Sequence, residues 1–595
     1  MSLRMSRRWT LTSAAGLALG FTALWVSRTH ARGKLAPQGQ PDISPDAPVS
    51  VRYDLTTKMG AAQLPSLQKG ILAMMKLDCK PTKTAPSCEY EATVTGGNPV
   101  QTGVVADAML SPLGWKYQAS IHGELPGATT QTAWDTCEHS TWFFLSWHRM
   151  ELYYFERIIR KMSGDNTFTL PYWNFTVPAK GAGGADGYGA RVPPEFRDRT
   201  SSLFWPYRNS RLNMAPPAKG ADPAWPLCGF VVLTKEAFAQ AAFFTNVLQK
   251  GGMSFGGGAR TVATPPPGTV THLPGGIGSG QIERTPHNLV HLSFGAGLPG
   301  LDSKPPSPNE SLSLVDAAGA GLDPMFWPIH VNIDRAWACW QQKHKGTEPN
   351  SAFWKNRAFT FYDVQDAAPG YKKVTLTGAQ VIDTAKQLQY MYDNACQNFE
   401  VPAIPGDQTE PSTGIIDDDT AAGETGGPLS ATASYNGILG AAPVTLSIPL
   451  SSEIQQRIDA LLAAEAPRGS ILLTIGGLAI DHPSSAAYEI YINLPEGAVP
   501  EYQSPSYMSE LSFFGIGHHH HASLDSQAAH EMGNSFTYDA TDVIRRLVAA
   551  GEWPGERIAV TLAKTSDAVP PDCVGPDTAS PSVRARFTEV TLTVY

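Results

Sequence analysis

The sequence predicts a multidomain protein, with a mainly α-helical domain up to residue 401 followed by a C-terminal β-sandwich. Three observations carry this. Apolar residues recur at helical spacing in segments such as 61–77, "AAQLPSLQKGILAMMKL". A polar, acidic, Pro/Gly-rich stretch, 402–428, interrupts the pattern. Beyond it lie β-branched or alternating runs, "SILLTIGGL", "YEIYINL", "RIAVTLAK" and "RFTEVTLTV", separated by turn residues.

Composition narrows the class. At 595 residues the chain is long enough for two to four domains, and 42% hydrophobic with 17% charged residues is a globular balance. A net charge of −9, with no long basic run after the N-terminus, argues against nucleic acid as a partner. The 55 glycines and 48 prolines predict long loops.

Residues 1–31 read as a targeting segment. A basic start precedes an apolar run from Trp9 to Val26, with cleavage expected after Ala31. Ser6-Arg7-Arg8 and Leu11 resemble the twin-arginine signature, with Thr10 where that signature usually has Phe. This implies export of an already folded chain, to the periplasm or outside the cell. The alternative is an uncleaved membrane anchor. Seven cysteines in an exported protein leave one without a disulfide partner. Cys79 and Cys88 are close enough to close a small loop; the other pairings stay open.

Further helices are expected over 141–162, closed by Ser163-Gly164, and over 286–294, 326–343 and 377–393. Residues 176–280 read as surface loops. The expected domains are 32–401, a linker 402–433, and a β-sandwich 434–595 holding a helix near 452–464.

The histidines carry the chemistry. His287 and His291 stand four apart, which places both imidazoles on one helix face and suits a shared metal. His330 has Asp334 one turn on, and a carboxylate there can orient a ligand imidazole by accepting its spare N–H. A second trio is His122, His139 and His148. Nine residues put His139 and His148 half a turn out of phase, so His148 belongs inside the helix and His139 in the segment leading into it. Two all-histidine sets suit a pair of copper ions better than hydrolytic zinc, which more often recruits a carboxylate.

These residues carry a family resemblance. "HSTWFFLSWHRMELYYFE", with His139, Phe144, Trp147-His148-Arg149 and Glu156, resembles the copper A signature of tyrosinases and polyphenol oxidases. "DPMFWPIHVNID", with Asp323-Pro324, Phe326, His330 and Asp334, resembles their copper B signature. "FTLPYWNF" and "PHNLVH" are also similar. The resemblance implies a four-helix bundle around a type-3 dicopper centre that binds O2. His122, His139 and His148 would hold copper A, and His287, His291 and His330 copper B. Such proteins hydroxylate monophenols, oxidise o-diphenols to o-quinones, or both. Ile329 stands where many members carry an extra histidine, which leaves His330 as the ligand.

Further roles follow from the same resemblance. Cys137, two before His139, resembles the fungal and molluscan pattern in which a thioether joins Cys to His; a free or disulfide-bonded Cys137 is the alternative. Glu283 and Asn288 resemble the pair that holds a water as the base for monophenols. Their alternatives are a helix-start carboxylate and a solvated amide. The mostly small segment Val315–Gly321 suggests a pocket with no aromatic gate. Tyr390-Met391-Tyr392 resembles the motif ending the catalytic domain, packed near Arg52. The C-terminal domain resembles the shield of latent polyphenol oxidases. Proteolysis is then expected in 402–428, with an aromatic between Tyr502 and Phe514 plugging the site. The run His518–His521 reads either as a transient copper site or as a solvated loop. The expected partners are small phenols, an activating protease and a copper chaperone. The competing functions are an o-aminophenol oxidase and a haemocyanin-like O2 carrier.

Overall fold

The computed structural model describes residues 48–78, 110–123, 131–139, 141–177, 190–240, 242–244, 254–257, 279–295, 313–344, 351–401, 429–440, 442–463, 471–480, 487–500, 504–514, 534–564, 573–576 and 585–594. The targeting segment, Cys79, Cys88, the stretch 402–428, Tyr502 and His518–His521 lie outside the described residues. Among the described residues no helix is long and apolar enough to cross a membrane.

The N-terminal half is built on helices α1 (Leu64–Leu77), α2 (Trp115–His122), α3 (Phe144–Ser163), α4 (Leu289–Gly295) and α5 (Phe326–Lys343). Helix α3 packs against both α1 and α5, and the facing rings of His291 and His330 (centroids 5.1 Å apart) bring α4 against α5. Helix α3 is buried on nearly every side, which its run of aromatic and aliphatic residues requires. It starts after Thr141, whose hydroxyl accepts the Phe143 N–H at 3.1 Å. It stops at Gly164, whose φ of 73° only glycine adopts at little cost. His139 therefore precedes the helix and His148 sits inside it.

Two expected helices differ. In place of one helix over 286–294, a wide π-type turn, Glu283–Asn288, leads into α4. Pro286 is the cause: it offers no N–H and drives Thr285 to extended backbone (φ −139°, ψ 120°). Residues 377–393 are not a helix. They form short turns and then strand β4 (Tyr390–Tyr392), which lies parallel to β1 (Ser50–Arg52). A strand sends Tyr390 and Tyr392 to the same side, and both hydroxyls reach Asp334 at 2.5 Å. A hairpin, β2 (Ala358–Val364) with β3 (Tyr371–Thr377), packs beside α3.

Asp334 departs from its expected role. It does not touch His330, whose Nδ1 instead meets the Phe326 carbonyl at 2.8 Å. Asp334 accepts from Arg149 Nε at 2.5 Å and lies 3.5 Å from Arg52 Nη1. Arg52 also donates to Glu156 at 2.9 Å. Arg149 stacks on Trp337 and Arg52 on Tyr390. Burial alone would raise the Asp334 pKa, but Arg149, Arg52 and the two tyrosines hold it below the usual carboxylate value. The network ties β1, α3, α5 and β4 together.

The C-terminal half is two antiparallel sheets around one core. The first orders β10 (Tyr507–Ser512), β9 (Ala487–Ile492), β12 (Arg557–Lys564) and β7 (Val444–Pro449). The second orders β5 (Leu429–Ser434), β14 (Glu589–Val594), β8 (Ile471–Ile480), β13 (Ala585–Arg586) and β6 (Ile438–Leu439), with β11 (Asn534–Asp539) on β8. Helices α6 (Ser452–Ala463) and α7 (Thr541–Ala550) close the core. Residues 429–433, placed in the linker by their sequence, belong to β5. Their alternating pattern is that of an edge strand, paired with β14 from Leu429↔Val594 onward. The domain thus begins at Leu429 rather than at 434. Two disulfides pair cysteines whose partners the sequence left open: Cys339–Cys396 within the N-terminal half, and Cys228–Cys573 between the halves.

Replacing Asp334 with Asn leaves two buried guanidiniums short of their shared anion. The expected loss is about 3–5 kcal/mol of stability, read as a lower midpoint in thermal unfolding; an unchanged midpoint would contradict the anchoring role.

Candidate metal centre

All six expected histidines converge in the buried core. His122, His139 and His148, with Cys137 among them, form one cluster and His287, His291 and His330 another. Within each, the potential ligand atoms lie within 4.8 Å of one another. His148 and His330 bridge the clusters, their rings stacked at 4.7 Å and 13°.

Five of the rings are held in one orientation. Nδ1 of His122, His148, His291 and His330 meets the carbonyls of Ala317 (2.8 Å), Phe144 (2.8 Å), Leu314 (2.7 Å) and Phe326 (2.8 Å). Nδ1 of His287 meets Asn288 Oδ1 at 2.9 Å. A carbonyl oxygen can only accept, so each Nδ1 carries the hydrogen and each Nε2 presents a lone pair. Burial, followed by neighbouring imidazoles, keeps His139, His148, His287, His291 and His330 well below the usual histidine pKa. They are neutral, which a metal ligand must be.

The Nε2 atoms of His287 and His330 stand 3.0 Å apart, and with both hydrogens on Nδ1 two lone pairs face each other. Nε2 of His291 is buried with no hydrogen-bond partner. A hydrogen-bonded core would not be built this way, whereas a cation between the nitrogens satisfies all of them. The residues present therefore fit a pair of metal ions, each with three imidazoles within reach.

Cys137 is a free, buried thiol. Its Sγ lies 3.6 and 3.7 Å from the ring nitrogens of His139 and 3.4 Å from His148 Nε2. Glu283 and Asn288 both lie buried in the π-type turn. The Asn288 carbonyl oxygen faces His287, so it is not on a solvated face. Phe144 (4.7 Å from His287) and Phe326 (4.0 Å from His330) wall the centre. The segment Val315–Gly321 does more than leave space. With Leu314 it supplies the backbone acceptors for His122 and His291, and Gly321 lets it pack on Ala119, since a Cβ there would come 2.8 Å from the Ala119 Cα.

The lid comes from the other domain. Phe514 lies over the centre, its ring 4.3 Å from His291, 5.3 Å from His139 and 5.5 Å from His287. Its neighbour Phe513 faces the opposite way, into the sandwich core against Tyr488. This follows from the alternation of an extended chain. The same domain grips the π-type turn. The Arg284 guanidinium donates to the Thr537 carbonyl and lies 4.3 Å over the Tyr538 ring. Thr285 donates to Glu510 at 3.3 Å. Sequence reasoning missed these contacts, because nothing near 284–285 marks partners 253 and 225 residues away.

Residues 112–343 match the family model described as the common central domain of tyrosinase. The chain therefore carries a tyrosinase-type central domain. Residues 429–573 match a second model, a domain of unknown function designated DUF7868. The chain is 27% identical over 482 residues to the tyrosinase HcTyr1 of Hahella sp. (strain CCB-MM4), covering 76% of this chain and 89% of that protein. It is 25% identical over 561 residues to the chloroplastic polyphenol oxidase of Vitis vinifera, covering 87% and 79%. The fold matches that of latent apple tyrosinase with a TM-score of 0.50 at 18% identity, over 92% of this chain and 99% of that one. Tyrosinases are dicopper proteins, and the two histidine trios fit that pair.

One interface group should respond to pH. Burial, reinforced by Glu236 and Glu489, pushes Glu510 up from 4.5 to about 8. Glu489 stands directly across on β9, while Tyr507, Tyr538, Arg284 and Arg546 complete the polar surroundings. The proton stays on Glu510 in the folded protein while the unfolded chain releases it. Stability that is intact below about 4.5 is therefore lost progressively as pH rises through about 8. Calorimetry across that range should show wild type losing more stability than Glu510→Gln; parallel losses would refute the assignment.

Proposed function

We propose that this protein is a latent phenol oxidase. It takes two copper ions and uses O2 to oxidise o-diphenols to o-quinones and to ortho-hydroxylate monophenols. The observation that carries this is the pair of all-imidazole trios, set face to face in a buried core, with a removable aromatic ring over them. His122, His139 and His148 would hold copper A, and His287, His291 and His330 copper B. The metal pair, when bound, supplies the dioxygen and electron chemistry.

The chain's own residues do the rest. The backbone carbonyls and Asn288 fix the imidazoles in the ligating tautomer. Burial excludes water and keeps the ligands neutral. Phe144 and Phe326 leave a flat aromatic-lined floor, and displacing Phe514 from His291 makes room for a phenol ring. A phenol, with a pKa of about 10, must lose its proton before it binds a metal. Glu283, in the same buried turn as Asn288, would hold with Asn288 the water that takes that proton. Cys137, its Sγ 3.6 Å from the His139 ring, would form the thioether with it. The basic-then-apolar start of the chain supports export. A protease acting in 402–428 and a copper donor are the partners this reading implies.

The test uses the full chain, copper-loaded, as wild type, Phe514→Ala and Phe514→Ala/Asn288→Gly. Each is assayed by oxygen uptake on a catechol, a monophenol and an o-aminophenol. Opening the site should raise catechol oxidation by at least about tenfold, equivalent to about 1.4 kcal/mol. Adding Asn288→Gly should reduce monophenol turnover more than diphenol turnover. Reversible oxygenation without turnover in Phe514→Ala would identify a carrier instead, and turnover confined to the o-aminophenol would reassign the substrate.

The thioether has its own readout. Copper-loaded protein should weigh two hydrogens less than its sequence, by a deficit that survives reduction. Full alkylation of Cys137 after copper loading would exclude the bond.

A further inference from the structure

The cut expected to release the shield does not by itself free it. Cys228, in the catalytic half, is joined to Cys573, in the C-terminal half, 345 residues away in sequence. The covalent ring closed by this bond contains the whole linker 402–428, so any single cut there opens the ring and leaves two pieces still bonded. The bond is also clasped: Cys228 N–H donates to the Val574 carbonyl and Val574 N–H to the Pro226 carbonyl, both at 2.9 Å. Leu227 and Val574 pair as an isolated bridge. Both cysteines are buried, at 0% and 1% exposure, so a reductant gains access only when this clasp opens.

We propose that Cys228–Cys573 is a second, thiol-sensitive lock on the shield, so that release takes a backbone cut together with attack by a dithiol reductant. This rests on the latent-oxidase reading above. In the exchange, a thiolate of the reductant attacks one sulfur and the second thiol resolves the mixed disulfide. Cys228 and Cys573 leave as two thiols, and the reductant carries away the oxidation as its own disulfide. Until then the nicked C-terminal piece remains tethered at an effective concentration on the order of millimolar. Its contacts through Arg284, Thr285 and Phe514 re-form faster than it can diffuse away. The partner implied is a thiol–disulfide reductant acting alongside the protease.

The experiment takes full-length, copper-loaded protein carrying a specific protease recognition sequence inserted within 402–428. Nicked, oxidised wild type is compared with nicked Cys573→Ser and nicked Cys228→Ser. A fourth sample is nicked wild type that has been reduced, alkylated, desalted and reloaded with copper. Each is read by size-exclusion chromatography, non-reducing gel and catechol oxidation. Nicked wild type should run as one covalent species and stay within about twofold of the uncut rate. The two serine variants and the alkylated sample should separate and gain at least about tenfold. Separation or full activation of oxidised, nicked wild type overturns the lock. So does a shield that stays bound and latent in all three samples lacking the disulfide. Pieces that separate without any catechol turnover uphold the lock and sink the oxidase reading instead.

Discussion

Six imidazoles buried together, five of them with the Nε2 lone pair fixed by a contact behind Nδ1, set the terms for the rest of the catalytic half. Five of them need an acceptor behind Nδ1, and the fold supplies each one locally. His148 and His330 use the carbonyl four residues back in their own helices. His122 and His291 use the start of the short helix Ala317–Ala320 and the turn at Leu314 before it. His287 sits where Pro286 disturbs the helix and takes a side-chain oxygen, that of Asn288, instead. The aromatic walls around them exclude water, which keeps the rings neutral and makes a metal pair the only good partner for the nitrogens.

A buried ionic network holds the helices that carry those rings. Asp334 and Glu156 on α5 and α3 collect Arg52, Arg149 and two tyrosines, none of which touches the centre itself. Such a network adds less net stability than it adds definition, since desolvating the charges offsets much of their attraction. Its effect is to fix α3 against α5, and hence His148 against His330.

The shield engages the centre at two levels. Phe514 fills the space above the rings, while Arg284, Thr285 and the Glu510 cluster tie the shield to the very turn that carries Glu283, His287 and Asn288. Undocking therefore removes the lid and also frees the backbone from which the trio His287, His291 and His330 begins. Covalent attachment through Cys573 makes the same undocking depend on thiol chemistry as well as on the linker.

Local patterning in the sequence determined the helices that carry His148, His291 and His330, the break between His139 and His148, and the strands of the C-terminal sheets. Each depends on periodicity or on a neighbouring Thr, Gly or Pro. The six histidines were legible for the same reason: their spacing and flanking residues are local. Tertiary structure alone decided the partners that are remote in the chain. It gave Asp334 to two arginines rather than to His330, because the helix already offered His330 a carbonyl one turn back. It made 390–392 a strand, because only an extended chain brings both tyrosines to one carboxylate. It chose Phe514 over Phe513, because one side of an extended segment had to fill the sandwich core. It joined Cys228 to Cys573, because disulfide pairing follows distance in space, which residue order does not encode.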